Sequence, residues 1–237
     1  MTRSRVKEYD GLLIGMTGAG KTSLIQRFKD NSIERSTPTN EPIEHTLVVG
    51  TCRLNIVDVG GDEESRRTLW TKLFHRRQIL IVVLNTLEPD ELPIMKKDLE
   101  ELLKMKEASS ESCLVLILTN KVDLSVDYSI TVSDVLECLE LSRFKNFKFG
   151  VFGTSATTGE GVEDSKNWLC KALEELPVMA YHEQSTIELA LDLCLNLKDM
   201  LIGKVFDAGR RLLGQHPVLT DRKMTLTLKE EHNILKE

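Results

Sequence analysis

The spacing Gly15-Met-Thr-Gly-Ala-Gly-Lys-Thr22 constrains this chain more than any other feature. It matches the G-x-x-x-x-G-K-[ST] loop, with apolar Leu12-Leu13-Ile14 before it and helix-like Ser23-Leu-Ile-Gln-Arg-Phe28 after it. Glycines let the backbone turn with its N–H groups facing inward, so the loop and the helix N-terminus that follows can cradle the phosphates of a nucleotide. Gly15, Thr17, Gly18, Ala19, Gly20, Lys21, Thr22 and Ser23 are the candidate phosphate contacts. Lys21 supplies a charge to the phosphates, and the Thr22 hydroxyl is a candidate ligand for Mg²⁺.

Around this loop, short β-rich runs alternate with longer amphipathic ones through about residue 176. That is the pattern of an α/β fold, a mostly parallel sheet with crossover helices on both faces. Six strands are expected: Gly11 to Ile14, His45 to Val49, Arg53 to Val57, Ile79 to Leu84, Leu114 to Leu118 and Phe147 to Phe152. Only a short turn around Gly50-Thr51 joins the second and third, which predicts an antiparallel hairpin at one edge. The fourth and fifth are continuously apolar and belong at the centre, buried on both faces. Leu92 to Lys106, Ser133 to Leu141 and Glu163 to Leu176 read as helices.

Asn120-Lys121-Val122-Asp123 directly follows the strand ending at Thr119, and Thr154-Ser155-Ala156 follows the last strand. A carboxylate at Asp123 can accept from both N1–H and the 2-amino group of guanine, a pairing adenine cannot offer. Here the chain resembles the small GTPases, a P-loop NTPase G domain in which such a segment reads guanine. The resemblance implies that Asn120 braces the loops and can meet the base, and that the Lys121 stem packs over its plane. It also implies that Ser155 and Ala156 belong to the base site, with the Ala156 N–H facing the guanine O6. GTP and GDP are then the implied ligands.

Asp58-Val59-Gly60-Gly61 narrows the resemblance to the Arf and Arf-like GTPases and the heterotrimeric Gα subunits, and Leu69-Trp70 followed by Phe74 also fits Arf. About fifteen residues separate Thr22 from Pro38-Thr39, too few for the inserted domain of Gα, so the match is Arf-like over roughly residues 9–176. It implies that Asp58 reaches Mg²⁺ through water and that Thr39 closes on Mg²⁺ and the γ-phosphate. It further implies that the Gly60 N–H meets the γ-phosphate in the triphosphate state alone. Lys21, Thr39, Gly61 and Asp62 form the expected catalytic set. Asp62 is a departure, standing where the family has a water-orienting glutamine. A carboxylate adds negative charge beside an anionic transition state, so slow intrinsic hydrolysis is expected. Glu41, in place of a family glycine, predicts a different path for the first switch loop. About ten mostly polar residues precede the first strand, where the family carries a myristoylated amphipathic helix, so the family's nucleotide-coupled membrane switch is not expected here.

The expected organisation is a flexible N-terminus (1–8), a G domain (9–177), a helical extension (178–215) and a mobile or peripheral tail (216–237). Ile187, Leu191, Cys194, Leu197, Leu201 and Val205 fall on one face of the extension. That face suits packing on the domain or a partner at 185–213. A net charge of −6 argues against a nucleic-acid binder. Five dispersed cysteines without a C-x-x-C pair read as reduced thiols, and Thr2 excludes myristoylation. No apolar run approaches the ~20 residues of a membrane span. These features predict a cytoplasmic protein without a direct lipid anchor, recruited to a membrane or cytoskeletal structure by a partner. Effectors and regulators are expected to engage residues 36–44 and 60–70. Two functions stand open: a slowly hydrolysing GTP/GDP switch, and a GTP-bound interaction module that has lost hydrolysis.

Overall fold

Leu80, Val82 and Leu84 alternate with Ile79, Ile81 and Val83, and the two sets are buried in different cores. Period-two alternation sends successive side chains to opposite sheet faces, so a strand apolar at every position needs cover on both. A computed structural model describes residues 6–30, 42–109 and 112–176. Its six strands are β1 (Lys7–Gly15), β2 (Ile43–Val49), β3 (Cys52–Asp58), β4 (Ile79–Asn85), β5 (Cys113–Asn120) and β6 (Phe147–Thr154). They lie in the order β2-β3-β1-β4-β5-β6. Only the β2/β3 hairpin is antiparallel, and it occupies an edge as its two-residue turn requires.

The helices are α1 (Lys21–Asp30), the short α2 (Glu63–Ser65) and α3 (Thr71–Phe74), α4 (Leu92–Ala108), α5 (Val132–Leu139) and α6 (Val162–Glu175). Leu24, Ile25 and Phe28 of α1 and Leu169, Ala172 and Leu173 of α6 cover one face. Trp70, Phe74, four leucines and a methionine of α4, and Val135 and Leu139 of α5 cover the other. The helices thus cover both faces of the sheet and leave the carboxyl ends of the parallel strands open for a site.

The start of the first strand and the end of the helix after β5 differ from expectation. The first strand begins at Lys7, not Gly11, so Lys7 and Glu8 lie in the sheet rather than in a flexible N-terminus. Pairing supplies the reason: Lys7 to Leu13 run in parallel register with Cys52 to Asp58, and the Tyr9 hydroxyl donates to Leu173 O at 3.1 Å. Between α2 and α3 the chain makes a π-helix, Arg66–Trp70. The helix expected to reach Leu141 stops at Leu139, where Glu140 turns left-handed at φ 46°. The proposed extension and tail lie outside the described residues.

Thr131 and Asp134 form a reciprocal capping box at the start of α5. Thr131→Ala removes one acceptor for the helix's orphan N–H groups and should cost about 1 kcal/mol, read as a lowered denaturation midpoint with nucleotide binding unchanged.

Candidate functional site

Gly15 ends β1, Met16 to Gly20 turn, and Lys21 opens α1, so strand, loop and helix follow without a spacer. The Lys21 ammonium is buried and folds back over the loop, donating to Gly15 O at 2.9 Å and Met16 O at 3.1 Å. Burial pushes its pKa down, against the carboxylates of Asp58, Glu91 and Asp62. Thr17 and Gly18 are exposed at the loop tip, Ser23 is half-buried, and the Ala19 N–H closes the turn on Met16 O at 3.2 Å. Gly20 takes φ +90°, and a Cβ there would lie 2.3 Å from Asn120 Nδ2. Only glycine admits that close approach.

Behind the loop, β3 delivers Asp58. Its carboxylate is fully buried; Oδ2 accepts from Thr22 Oγ1 at 2.6 Å, while Oδ1 is buried with no partner among the described residues. Burial raises its pKa, opposed by the Thr22 hydrogen bond and by Lys21 and His45. An unpartnered buried carboxylate oxygen beside a hydroxyl is an all-oxygen donor set of the kind a small hard cation takes, so these residues fit Mg²⁺. His45, on β2, belongs to the same neighbourhood. Its pKa is lowered chiefly by burial, against the pull of Asp58, and its Nε2 is likewise buried without a partner among the described residues. Thr39, the other candidate Mg²⁺ ligand, lies outside the described residues, as does most of segment 36–44.

Base-side elements meet at one side chain. Asn120, the last residue of β5, donates from Nδ2 to Ala19 O at 2.8 Å and accepts from the Ala156 N–H at 3.1 Å. Phosphate loop and base loop are therefore bridged by a single buried amide. Lys121 follows in the left-handed region at φ 74°, a conformation that costs a non-glycine residue free energy and here turns the chain into the Val122–Leu124 turn carrying exposed Asp123. Ser155 is fully buried; its N–H donates to Glu160 O, and its Oγ accepts from the Thr158 N–H. The Ala156 N–H, which the resemblance aims at guanine O6, is held by Asn120.

Val59, Gly60 and Gly61 are buried and lead into Asp62, which caps α2. Asp62 accepts from the Ser65 N–H at 2.9 Å and from Ser65 Oγ at 2.6 Å, bonds that lower its pKa and keep it ionised. Glu63 and Glu64 occupy the helix's first turn, where acidic side chains complement its dipole. Trp70 Nε1 donates to Gly60 O at 3.2 Å, and Arg66 pairs with Asp98 of α4 at 2.6 Å. His45, Arg66 and Glu91 escaped the sequence reading; burial raises the pKa of the Glu91 carboxyl, opposed by the charges of Lys121, Lys21 and Arg66. None stands in a fixed-spacing motif, so nothing in the linear pattern marks them.

A family model described as the ADP-ribosylation factor family matches residues 1–173. ADP-ribosylation factor-like protein 1 of Drosophila melanogaster is 29% identical over 163 residues, 69% of this chain and 88% of the fly protein. ADP-ribosylation factor-like protein alp41 of Schizosaccharomyces pombe is 29% identical over 170 residues, 72% of this chain and 89% of the yeast protein. Among solved structures, the Arl6 BBS3 small GTPase from Trypanosoma brucei, with bound nucleotide analogue GppNp, shares the fold. It has a TM-score of 0.62 and 22% identity, over 72% of this chain and 99% of that one. The phosphate loop, the Asn120 bridge and the Asp58 end of β3 thus sit in a matched framework, and the chain belongs to the ADP-ribosylation factor family of small GTPases, GTP-binding switches.

Proposed function

We propose that this chain binds GTP and GDP with Mg²⁺, hydrolyses GTP slowly by itself, and engages effectors and regulators through residues 36–44 and 60–70. The observation that carries the reading is the Asn120 bridge, because it couples the element that would hold phosphates to the element that would read guanine. Lys21 and the loop N–H groups would hold the β- and γ-phosphates. Thr22 and Asp58 would hold Mg²⁺, with Thr39 joining in the triphosphate state; the ion would neutralise phosphate charge. Gly60 would meet the γ-phosphate, and Lys121, Asp123, Ser155 and Ala156 would enclose the base.

Slow turnover rests on Asp62. Its two oxygens are taken by Ser65, and it presents a negative charge where a neutral amide would both donate and accept. The same geometry favours the second reading, an interaction module that keeps GTP. Among the described residues no helix is long and apolar enough to cross a membrane. We place the protein in the cytoplasm, with recruitment to a membrane or cytoskeletal structure left to a partner. Residues 185–213 are a second partner or docking segment in this scheme.

The test is to purify the protein, release its nucleotide by denaturation, identify it by chromatography, and follow the bound species for hours. A guanine nucleotide is expected; an adenine nucleotide or none would defeat the proposal. GTP that slowly becomes GDP marks the switch, and GTP that persists marks the module. Asp62→Gln should raise single-turnover hydrolysis about tenfold, equivalent to about 1.4 kcal/mol of barrier. An unchanged rate, with or without an activating protein, would remove Asp62 as the brake.

A further inference from the structure

Six residues beyond Lys21, on the second turn of α1, Arg27 turns away from the phosphates and toward the base loop. Its Nε donates to Ala156 O at 2.9 Å, and its Nη2 donates to Thr157 O. Ala156 is thus gripped on both sides, its N–H by Asn120 and its carbonyl by Arg27. The rest of the loop is knit to itself: the Gly159 N–H donates to Ser155 O at 2.9 Å and the Ser155 N–H to Glu160 O at 3.0 Å. A closed loop of this kind moves as a unit, so its orientation depends on the groups that tie it to the domain.

We propose that Arg27 is a positioning residue for base selectivity: by fixing the Ala156 and Thr157 carbonyls it aims the Ala156 N–H at the exocyclic carbonyl oxygen of a 6-oxopurine. This rests on the reading of the site as a guanine-nucleotide pocket. An N–H held in place rewards an acceptor at purine position 6 and is left unpaired by a base without one, and the discrimination lasts only as long as the N–H cannot swing aside. When O6 arrives, it competes with Asn120 Oδ1 for that hydrogen, and Arg27 is then the attachment that keeps the loop in register. Arginine suits the task because its planar fork presents two donors at once to two adjacent carbonyls, whereas a lysine ammonium acts as a single point. Arg27 also continues the helix that starts at Lys21, which makes α1 a rigid strut between the phosphate end and the base end.

The test uses the full chain with Mg²⁺, wild type and Arg27→Ala and Arg27→Lys variants, and two probes: GDP, and 2-aminopurine riboside diphosphate, which lacks O6 and with it the N1 hydrogen, so that the effect of each Arg27 variant is read as the difference between the two probes. Wild type should prefer GDP. Arg27→Ala should weaken GDP about tenfold, mainly through faster release, and leave the O6-lacking analogue within about twofold, a change worth about 1.4 kcal/mol on one ligand. Arg27→Lys should recover part of the GDP loss. Equal weakening of both probes would mean that Arg27 supports the fold in general, and equal affinity before and after would mean that it does nothing at the base; either overturns the proposal. Analogue binding at the wild-type level also verifies that the variant is folded. A wild type that binds both probes equally would instead overturn the guanine-nucleotide reading, and this inference with it.

Discussion

Asp123→Asn should abolish useful affinity for GDP and GTP while creating affinity for xanthosine nucleotides. Asp123 stands exposed on the Val122–Leu124 turn, set there by left-handed Lys121, so its exchange for an amide of the same shape leaves the core untouched. The carboxylate offers acceptors to both N1–H and the 2-amino group of guanine; the amide replaces one acceptor with a donor and meets the 2-amino group with like polarity. Hydrogen bonds to a charged group contribute about 1.5–3 kcal/mol each; the variant loses one, sets two donors against each other in its place and keeps the other without its charge, so guanine nucleotides weaken by about a hundredfold. Xanthine carries a carbonyl at position 2, and the new donor finds an acceptor there. Competition of GDP and xanthosine diphosphate against a fluorescent nucleotide checks this. Unchanged GDP affinity in the variant would overturn the assignment of Asp123 to the base.

What the linear pattern revealed, and what it hid, divides by the physics that specifies each element. The phosphate loop, the Asp58 turn and the Asn120 to Asp123 segment are local constellations, in which backbone geometry and side-chain chemistry are fixed within a few residues. Continuous apolarity likewise announced β4 and β5, because burial on both faces leaves no polar position before Asn85, Thr119 and Asn120 at the strand ends. The start of β1 was hidden by Lys7, Glu8 and Asp10, polar residues held in the sheet by pairing with β3, which lies more than forty positions away. Arg27 and Ala156 are 129 positions apart, and Arg66 and Asp98 are 32 apart. Such contacts are created by the topology and leave no trace in local spacing.

Asp62 has a structural role that its position in the sequence does not announce. Its charge and its place after Gly61 pointed to impaired water orientation, whereas the structure adds a positive role: it starts α2, with both carboxylate oxygens on Ser65. The π-helix after it widens one turn, and the buried Trp70 side chain reaches back to Gly60 O. Insertion of a wider turn into a helix is typical of segments under functional constraint. With Arg66 on Asp98 of α4, segment 60–70 is anchored at its root, its middle and its end. Asp62→Gln therefore exchanges a charged cap for a neutral one as it restores the amide. A cap of this kind contributes about 1 kcal/mol, so that variant should loosen α2 while it gains hydrolysis.

Gly61→Ala should separate the two nucleotide states, weakening GTP while sparing GDP. A Cβ at Gly61 would lie 2.2 Å from Gly15 O and 2.4 Å from both Met16 C and Thr17 N, all of them backbone atoms of the phosphate loop. Flexible side chains can swing clear of such a contact, but backbone cannot, so the root of segment 60–70 must lift off the loop. The lift carries Gly60 with it, along with the carbonyl that accepts from Trp70. If the Gly60 N–H meets the γ-phosphate, GTP forfeits one charge-assisted hydrogen bond of about 1.5–3 kcal/mol, a loss of roughly 10- to 150-fold in affinity. GDP has no γ-phosphate to lose, and the groups proposed to hold it, Lys21, Thr22 and the base loop, are untouched. Trp70 reports the movement directly, since a side chain released from its buried hydrogen bond shifts its emission to longer wavelength. The expected result is a GTP-to-GDP affinity ratio lowered at least tenfold, with a red-shifted Trp70 spectrum in a Trp168→Phe background that leaves Trp70 as the reporter. Equal loss of GDP would mean that the added methyl has disrupted the phosphate loop itself. No loss of either would mean that segment 60–70 already stands clear of the loop when nucleotide is bound, and that the γ-phosphate is held by other groups.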